Sequence, residues 1–183
     1  MNDLATRVKD GTQKTVKALN HFLDYCATHP EEVVLYRASD KVLRNHSDEV
    51  YLVATGARSR AAEYTDLGND INRQIINGPI SIIAKIIKGV MSSAAEAEIG
   101  ALYMNARQLL PLRVTCEELG HPQPATPMQT DNNTASGIIN GTFNQARSKA
   151  IDMRYYWLMD RAQQNKFKIY WDRGVKNLAD YFS

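Results

Sequence analysis

The hydrophobic residues of this chain change their spacing near residue 92. Before it, three runs have the composition and alternation of strands, at residues 42–48, 57–67 and 80–90. After it, the serines and acids of residues 92–98 are typical of a capped helix start. Apolar residues then recur at helical spacing over residues 99–110. The pattern predicts antiparallel strands followed by a helix that packs on them.

The rest of the chain continues in short elements. The expected elements are a helix ending at Pro111, a short helix over 112–119, a strand over 128–130, a helix from Asn132, a long helix capped by Ser148, a strand over 167–171 and a helical turn over 177–182. A further helix is expected near the start of the chain, where Val16, Leu19, Leu23 and Cys26 share one face. This order indicates an α/β fold with a mixed sheet flanked by helices.

Composition excludes several classes of protein. The 183 residues are 44% hydrophobic and 23% charged, which fits one globular domain with an appendage and argues against disorder. Two cysteines, Cys26 and Cys116, cannot form a disulfide framework. The start of the chain lacks a secretory signal, and the greasiest stretch, residues 75–90, is too short and too charged to span a bilayer. A soluble protein of the cytoplasm or nucleus, with no membrane partner, is expected.

Charge is distributed unevenly along the chain. The whole protein has 22 Lys and Arg against 20 Asp and Glu, yet residues 141–183 hold 8 basic and 4 acidic side chains. A basic end on a near-neutral body is a weak indication of a phosphate-rich partner.

Four acids lie where strands end or helices begin. Asp48 is expected at the end of the first strand, Glu98 one turn into a helix, Asp131 after the fourth strand, and Asp180 in the last helix. Carboxylates that converge at a sheet edge repel one another unless cations neutralise them, and such oxygen ligands favour Mg²⁺ or Mn²⁺. With 20 acids in the chain, the spacing alone leaves solvated surface positions as the alternative.

The short sequence motifs around these acids resemble those of a known family. The motifs are Ser47-Asp48-Glu49-Val50-Tyr51-Leu52, Ala57-Arg58-Ser59-Arg60, Ser92-Ser93-Ala94-Ala95-Glu96-Ala97-Glu98, Thr130-Asp131-Asn132 and Asn177-Leu178-Ala179-Asp180-Tyr181-Phe182. In this order they resemble the ribonuclease H domain of copia-like retrotransposon polyproteins. The resemblance implies a ribonuclease H-like mixed five-stranded sheet over residues 36–183, with a clipped C-terminal helix. Residues 1–35 resemble the end of the reverse transcriptase connection region that precedes this domain.

The resemblance also implies a function. It assigns Asp48, Glu98, Asp131 and Asp180 as metal ligands for hydrolysis of the RNA strand of an RNA/DNA hybrid with two Mg²⁺ ions, with Mn²⁺ as a substitute. The implied partners are the hybrid and the upstream reverse transcriptase domain, in a retroelement particle, and the fragment is expected to be monomeric. One departure is the missing histidine that cellular ribonucleases H carry about ten residues before the fourth acid.

Basic side chains near these motifs are candidate phosphate contacts. They are Arg58, Arg60, Arg147, Lys149 and Arg154, and the alternative for each is an ordinary surface cation. Two other functions stay open at this stage. A decayed domain would keep the fold and bind nucleic acid or pack on a polymerase without catalysis, and an integrase-like enzyme would act on DNA.

Overall fold

The chain forms two compact units, Met1–Leu35 and Tyr36–Ser183. The computed structural model describes residues 4, 5, 7, 9, 11–69, 75–142 and 149–183, of which 149–152 are described by their backbone only. Among these residues, no helix combines the length and the apolar character that crossing a bilayer requires.

The first unit contains the predicted helix, α1, over Gln13–Thr28. A reciprocal capping box begins it: the Thr15 amide donates to Thr12 Oγ1, and the Thr12 amide donates to Thr15 Oγ1 at 3.2 Å. No residue of α1 is buried, and Val16, Leu19 and Leu23 of the predicted apolar face are exposed.

The second unit is a five-stranded sheet with helices. Its elements are β1 (Val42–Ala54), β2 (Arg58–Gly68), β3 (Pro79–Ile86), α2 (Ala94–Glu118), β4 (Thr126–Thr130), α3 (Asn133–Ile139), α4 (Lys149–Gln163), β5 (Phe167–Trp171) and two 3₁₀ turns, Gly174–Lys176 and Leu178–Tyr181. The strand order is β3-β2-β1-β4-β5. The first three strands pair antiparallel, whereas β4 runs parallel to β1 and β5 parallel to β4. The prediction of a mixed five-stranded sheet is confirmed.

The main core lies on one face of the sheet, where α2, α3 and α4 cover it. Its largest fully buried side chains are Ile99, Leu102, Leu109, Met128, Ile139 and Leu158. A fully buried aliphatic side chain contributes about 1.5–3 kcal/mol, so this cluster is the main source of stability. A smaller cluster on the opposite face joins Ala62 and Tyr64 of β2 to Ala179 of the last turn.

The expectation that the helix ends at Pro111 is wrong, because α2 continues to Glu118 with Pro111 inside it. Tertiary contacts outweigh the loss of one helical hydrogen bond. Leu109, before the proline, is fully buried. After it, the buried Arg113 guanidinium donates to the carbonyl of Pro124 at 2.5 Å and to Thr126 Oγ1 at 2.6 Å.

Two strand ends also differ from prediction. Asp48 does not end β1, because the strand continues to Ala54 as the first arm of a hairpin with β2. The pairing is irregular between Val50 and Ala54, where Leu52 has a positive φ of 57°. β3 ends at Ile86, earlier than the predicted residue 90.

A buried ion pair secures the connection from β2 to β3. Arg44 of β1 donates from Nε to Asp66 Oδ1 of β2 at 2.9 Å, and its Nη2 also contacts Asp66. The same guanidinium donates to the Ile75 carbonyl at 2.8 Å, and the Asn77 amide donates to Asp66 at 3.2 Å. Gly68 leaves room for this group, because a Cβ there would overlap the guanidinium.

Candidate metal centre

Three of the four predicted acids meet where the sheet opens between β1 and β4. The pairing of these strands stops at His46 and Gln129, so Asp48 lies just beyond the last paired residue of β1. Asp131 directly follows β4, and Glu98 lies about one turn into α2. One ligand oxygen from each of these carboxylates lies within 4.8 Å of the others. The cluster has the oxygen donors that a hard divalent cation takes.

Neighbouring groups hold Glu98 and Asp131 in place. Thr130 donates its hydroxyl to Glu98 Oε1 at 2.6 Å, which ties α2 to the end of β4. The Trp171 indole donates from Nε1 to the Asp131 carbonyl at 2.9 Å. Gly174 leaves space for this acid, because a Cβ at that position would lie 2.9 Å from Asp131 Oδ2. Contacts from Thr130 and Trp171 therefore restrict the positions of the Glu98 side chain and the Asp131 backbone.

Burial and mutual repulsion raise the pKa values of the cluster. Burial raises the pKa of Asp48 to about 6, and the charges of Asp131 and Asp180 add to the effect. Burial raises the pKa of Glu98 well above its usual value, with the charges of Asp48 and Asp131 adding. Burial also raises the pKa of Asp131. A divalent cation would relieve this repulsion, so the residues fit the magnesium that the sequence resemblance implies.

The fourth predicted acid lies beside the cluster without joining it. Asp180 is exposed on the second 3₁₀ turn, and it is not among the three residues whose oxygens lie within 4.8 Å of one another. Its charge nevertheless raises the pKa values of Asp48 and Asp131, which places it within electrostatic range of both.

Asn177 connects the turn that carries Asp180 to the strand that carries Asp48. Its side chain, 3% exposed, donates from Nδ2 to the Ser47 carbonyl at 2.7 Å. Its Oδ1 accepts from the Ala179 amide at 3.1 Å and so caps the turn. His46 makes a weaker second link, because its Nδ1 accepts from the Leu178 amide at 3.4 Å. Burial lowers the pKa of His46 to about 4, which leaves this nitrogen free to accept at neutral pH.

We expect Asn177→Ala to weaken Mg²⁺ binding by the carboxylate cluster, because the variant loosens Asp180 relative to Asp48. Losing a partner of this kind reduces metal affinity by about 10–100-fold. The measurement is the Mg²⁺ concentration at half-saturation, obtained by isothermal titration calorimetry. Asn140→Ala is the matched control, since Asn140 Nδ2 donates to the Ile169 carbonyl at 3.0 Å, outside the cluster. Equal half-saturation concentrations in the two variants would contradict the expectation.

The sequence did not indicate a fifth carboxylate, that of Glu49. Burial raises its pKa to about 7, and the charges of Asp48 and Asp131 add to the effect. Its Oε2 is buried without a hydrogen-bond partner among the described residues. Adjacent residues of a strand point to opposite faces, so strand periodicity does not group Glu49 with Asp48.

The predicted phosphate contacts are placed unequally. Arg60 pairs with Val50, two residues beyond Asp48, so it shares a sheet face with that acid; Arg58 is exposed near the hairpin tip. Arg154 is half-buried on α4. Arg147 and the side chain of Lys149 lie outside the described residues.

The sheet order, the helices on one face and the acids at the opening between β1 and β4 define the ribonuclease H fold. LC11-RNase H1, isolated from compost, superposes with a TM-score of 0.57 at 10% identity, covering 78% of this chain and 92% of that chain. The same enzyme in complex with an RNA/DNA hybrid gives 0.55 at 11% identity, over 76% and 92%. The N-terminal RNase H domain of Rv2228c from Mycobacterium tuberculosis gives 0.54 at 12% identity, over 77% and 89%. The predicted fold is confirmed.

A retroelement protein is the relative found by sequence. The chain is 23% identical over 173 residues to the retrovirus-related Pol polyprotein from transposon TNT 1-94 of Nicotiana tabacum. The match covers 90% of this chain and 12% of that polyprotein. No protein-family model matches the sequence. The resemblance to a copia-like polyprotein segment agrees with this relative.

Proposed function

We propose that this domain hydrolyses the RNA strand of RNA/DNA hybrids as the ribonuclease H part of a retroelement reverse transcriptase. The observation that carries the proposal is the cluster of Asp48, Glu98 and Asp131, with ligand oxygens within 4.8 Å of one another on a ribonuclease H fold. A solved structure with this fold holds an RNA/DNA hybrid, and the sequence relative is a Pol polyprotein.

The cluster and Asp180 would hold two Mg²⁺ ions, with Mn²⁺ as a substitute. When bound, such ions activate the attacking water and neutralise charge on the departing 3′ oxygen. The protein contributes position. Thr130 fixes one oxygen of Glu98, Trp171 fixes the backbone of Asp131, and Asn177 joins the Asp180 turn to β1. Preorganised charge of this kind avoids reorganisation during the reaction.

The substrate would be recognised by shape and not by sequence. An RNA strand differs from DNA in its 2′ hydroxyls and in the groove geometry of the hybrid. Arg60, on the same sheet face as Asp48, is a candidate for contact with a backbone phosphate near the cluster. Arg58, Arg147 and Lys149 stay candidates for the same role.

The upstream partner would be the reverse transcriptase domain of the same polyprotein. The chain matches only 12% of its relative, and residues 1–35 form a unit separate from the ribonuclease H fold. We propose that this unit is the end of the connection region and that the fragment is monomeric.

The test is Mg²⁺-dependent cleavage of a labelled hybrid by the whole chain and by Asp131→Asn. We expect the variant to lose about 10²–10³-fold in rate, because it removes charge where the reaction needs it. Asp40→Asn is the matched control, since Asp40 is an exposed acid outside the cluster.

Three outcomes would contradict the proposal. An inactive but folded wild-type protein would indicate a decayed domain. Equal rates for wild type and Asp131→Asn would remove these acids from catalysis. Preferred cleavage of duplex DNA over hybrid would indicate an integrase-like enzyme.

A further inference from the structure

Three arginines flank a pair of aromatic rings on the surface where α2 meets α4. The Arg107 guanidinium lies 5.7 Å from the centroid of the Tyr103 ring, and that of Arg154 lies 6.0 Å from the same centroid. Tyr103 meets Trp157 edge-to-face with centroids 5.3 Å apart, and the Arg161 guanidinium lies 5.3 Å from the Trp157 centroid. We call these five residues the arginine–aromatic stripe.

The two rings of the stripe pack at the edge of the main core, whereas the arginines lie outside that core. Tyr103 and Trp157 are half-buried against the main core cluster. Arg107 is exposed, and the side chain of Arg161 is 30% exposed. Within the described part of the chain, Arg161 pairs with Asp160 at 2.9 Å, whereas neither Arg107 nor Arg154 lies within ion-pair distance of a carboxylate. The stripe therefore carries excess positive charge.

Arg154 places one end of the stripe near the start of α2. Its guanidinium reaches Met91 Sδ at 3.7 Å, and its Nη1 would lie 3.6 Å from a Cβ at Gly100. Arg107 follows Gly100 by seven residues, about 10 Å further along the helix at a rise of about 1.5 Å per residue. The stripe therefore runs along α2 from its early turns towards its middle.

Stacking prepares these guanidinium groups to bind phosphate. A guanidinium held against a ring has lost part of its rotamer freedom before it binds, and it still presents its planar fork of N–H donors. Phosphate oxygens accept two such donors at once. A row of ordered guanidinium groups with excess charge complements a polyanionic backbone.

We propose that the arginine–aromatic stripe binds the phosphate backbone of the hybrid duplex beyond the cleaved bond. The proposal rests on the proposed function only in that the domain binds a nucleic acid. It assigns Arg107 and Arg161 to substrate binding, which the sequence did not indicate, and gives Arg154 the phosphate-contact role that its position in the chain suggested. The stripe adds affinity for longer substrates and takes no part in bond breaking.

The test measures hybrid binding by the cleavage-deficient Asp131→Asn protein, using fluorescence anisotropy over a range of salt concentrations. Adding Arg107→Ala or Arg161→Ala should weaken binding of a hybrid of about 18 base pairs by about three- to tenfold. Each change should reduce the slope of log affinity against log salt by about 1. Arg107→Lys keeps the charge without the planar fork and should give an intermediate affinity.

Lys168→Ala is the matched control. Lys168 is exposed on β5 between the buried Phe167 and Ile169, so its side chain points to the sheet face opposite α2 and α4. We expect this variant to keep the affinity and the salt slope of its parent. A loss of hybrid affinity in Lys168→Ala as large as the loss in Arg107→Ala would indicate a general effect of net charge. That result would overturn the proposal.

Failure of this proposal is distinguishable from failure of the proposed function. If the wild-type protein cleaves the hybrid but Arg107→Ala and Arg161→Ala keep its affinity and salt slope, the stripe is not a binding surface. If the stripe variants lose affinity in a protein that cleaves nothing, the nucleic-acid surface stands and the enzyme proposal falls. Loss of binding to an acidic protein partner, with hybrid affinity unchanged, would also overturn the assignment.

Discussion

Replacing Glu98 with Gln is expected to make the metal-free protein more stable while it abolishes hybrid cleavage. Glu98 is fully buried beside Asp48 and Asp131, and burial raises its pKa well above the usual value. Without metal, ionisation of this carboxyl group is destabilising, and the neutral amide removes both the desolvation and the repulsion. We expect a gain on the order of 1 kcal/mol in the free energy of unfolding, typical of changes that relieve strain at a functional site.

The sign of the pH dependence follows from the raised pKa. In the unfolded chain Glu98 titrates near its ordinary value, whereas the folded protein holds the proton to a higher pH. The contribution of the protonated form is therefore complete below the unfolded pKa and is lost as pH rises through the folded pKa. Glu98→Gln should therefore show a shallower loss of stability than wild type as pH rises from the ordinary pKa of a glutamate through the raised pKa of the folded protein.

Urea unfolding in EDTA at several pH values measures this effect. The control is the same series in Mg²⁺, where wild type should gain stability and Glu98→Gln should gain much less. A variant that is less stable than wild type at pH 8 in EDTA would show that Glu98 is a structural group, not a metal ligand kept at a cost.

The second large effect is on folding. Asp66→Asn leaves the Arg44 guanidinium, whose side chain is 10% exposed, with no charged partner among the residues that the structure describes. Breaking a buried ion pair from one side costs about 3–5 kcal/mol. Asp66 also accepts from the Asn77 amide, so the segment leading into β3 loses its anchor as well.

A double replacement separates the ion pair from packing. Arg44→Met combined with Asp66→Leu removes both charges and should recover most of the stability lost by Asp66→Asn. The measurement is the free energy of unfolding by urea in Mg²⁺-free buffer. A loss below about 1 kcal/mol for Asp66→Asn alone would show that solvent reaches this pair and that it does not secure the β2–β3 connection.

Local sequence patterns predict the elements whose structure follows from their own residues. The alternation over residues 167–171 corresponds to β5, and Asp131 follows β4 as expected. The predicted helix end at Pro111 is wrong because local rules do not include tertiary contacts such as the hydrogen bond from Arg113 to the Gln123 carbonyl, which follows the proline. The length of β1 depended in the same way on its pairing with β2.

The candidate site was predictable only where residues carried a family resemblance. Asp48, Glu98 and Asp131 lie within the motifs that carry the resemblance, and the fold brings them together. Asn177 acts through the Ser47 carbonyl 130 residues away, so no spacing along the chain reveals it. The proximity of Glu49 to the charges of Asp48 and Asp131 follows from the structure of the sheet and not from a local sequence pattern.

The close approach of Gly174 to Asp131 couples a loop to the chemistry of a distant strand. Any side chain at position 174 would press on Asp131 Oδ2, even though no left-handed backbone angle calls for glycine there. A side chain at this position would therefore displace the Asp131 carboxylate and leave the backbone of both segments in place. Graded increases in bulk at this one position offer a way to detune the carboxylate cluster while every one of its acids is kept.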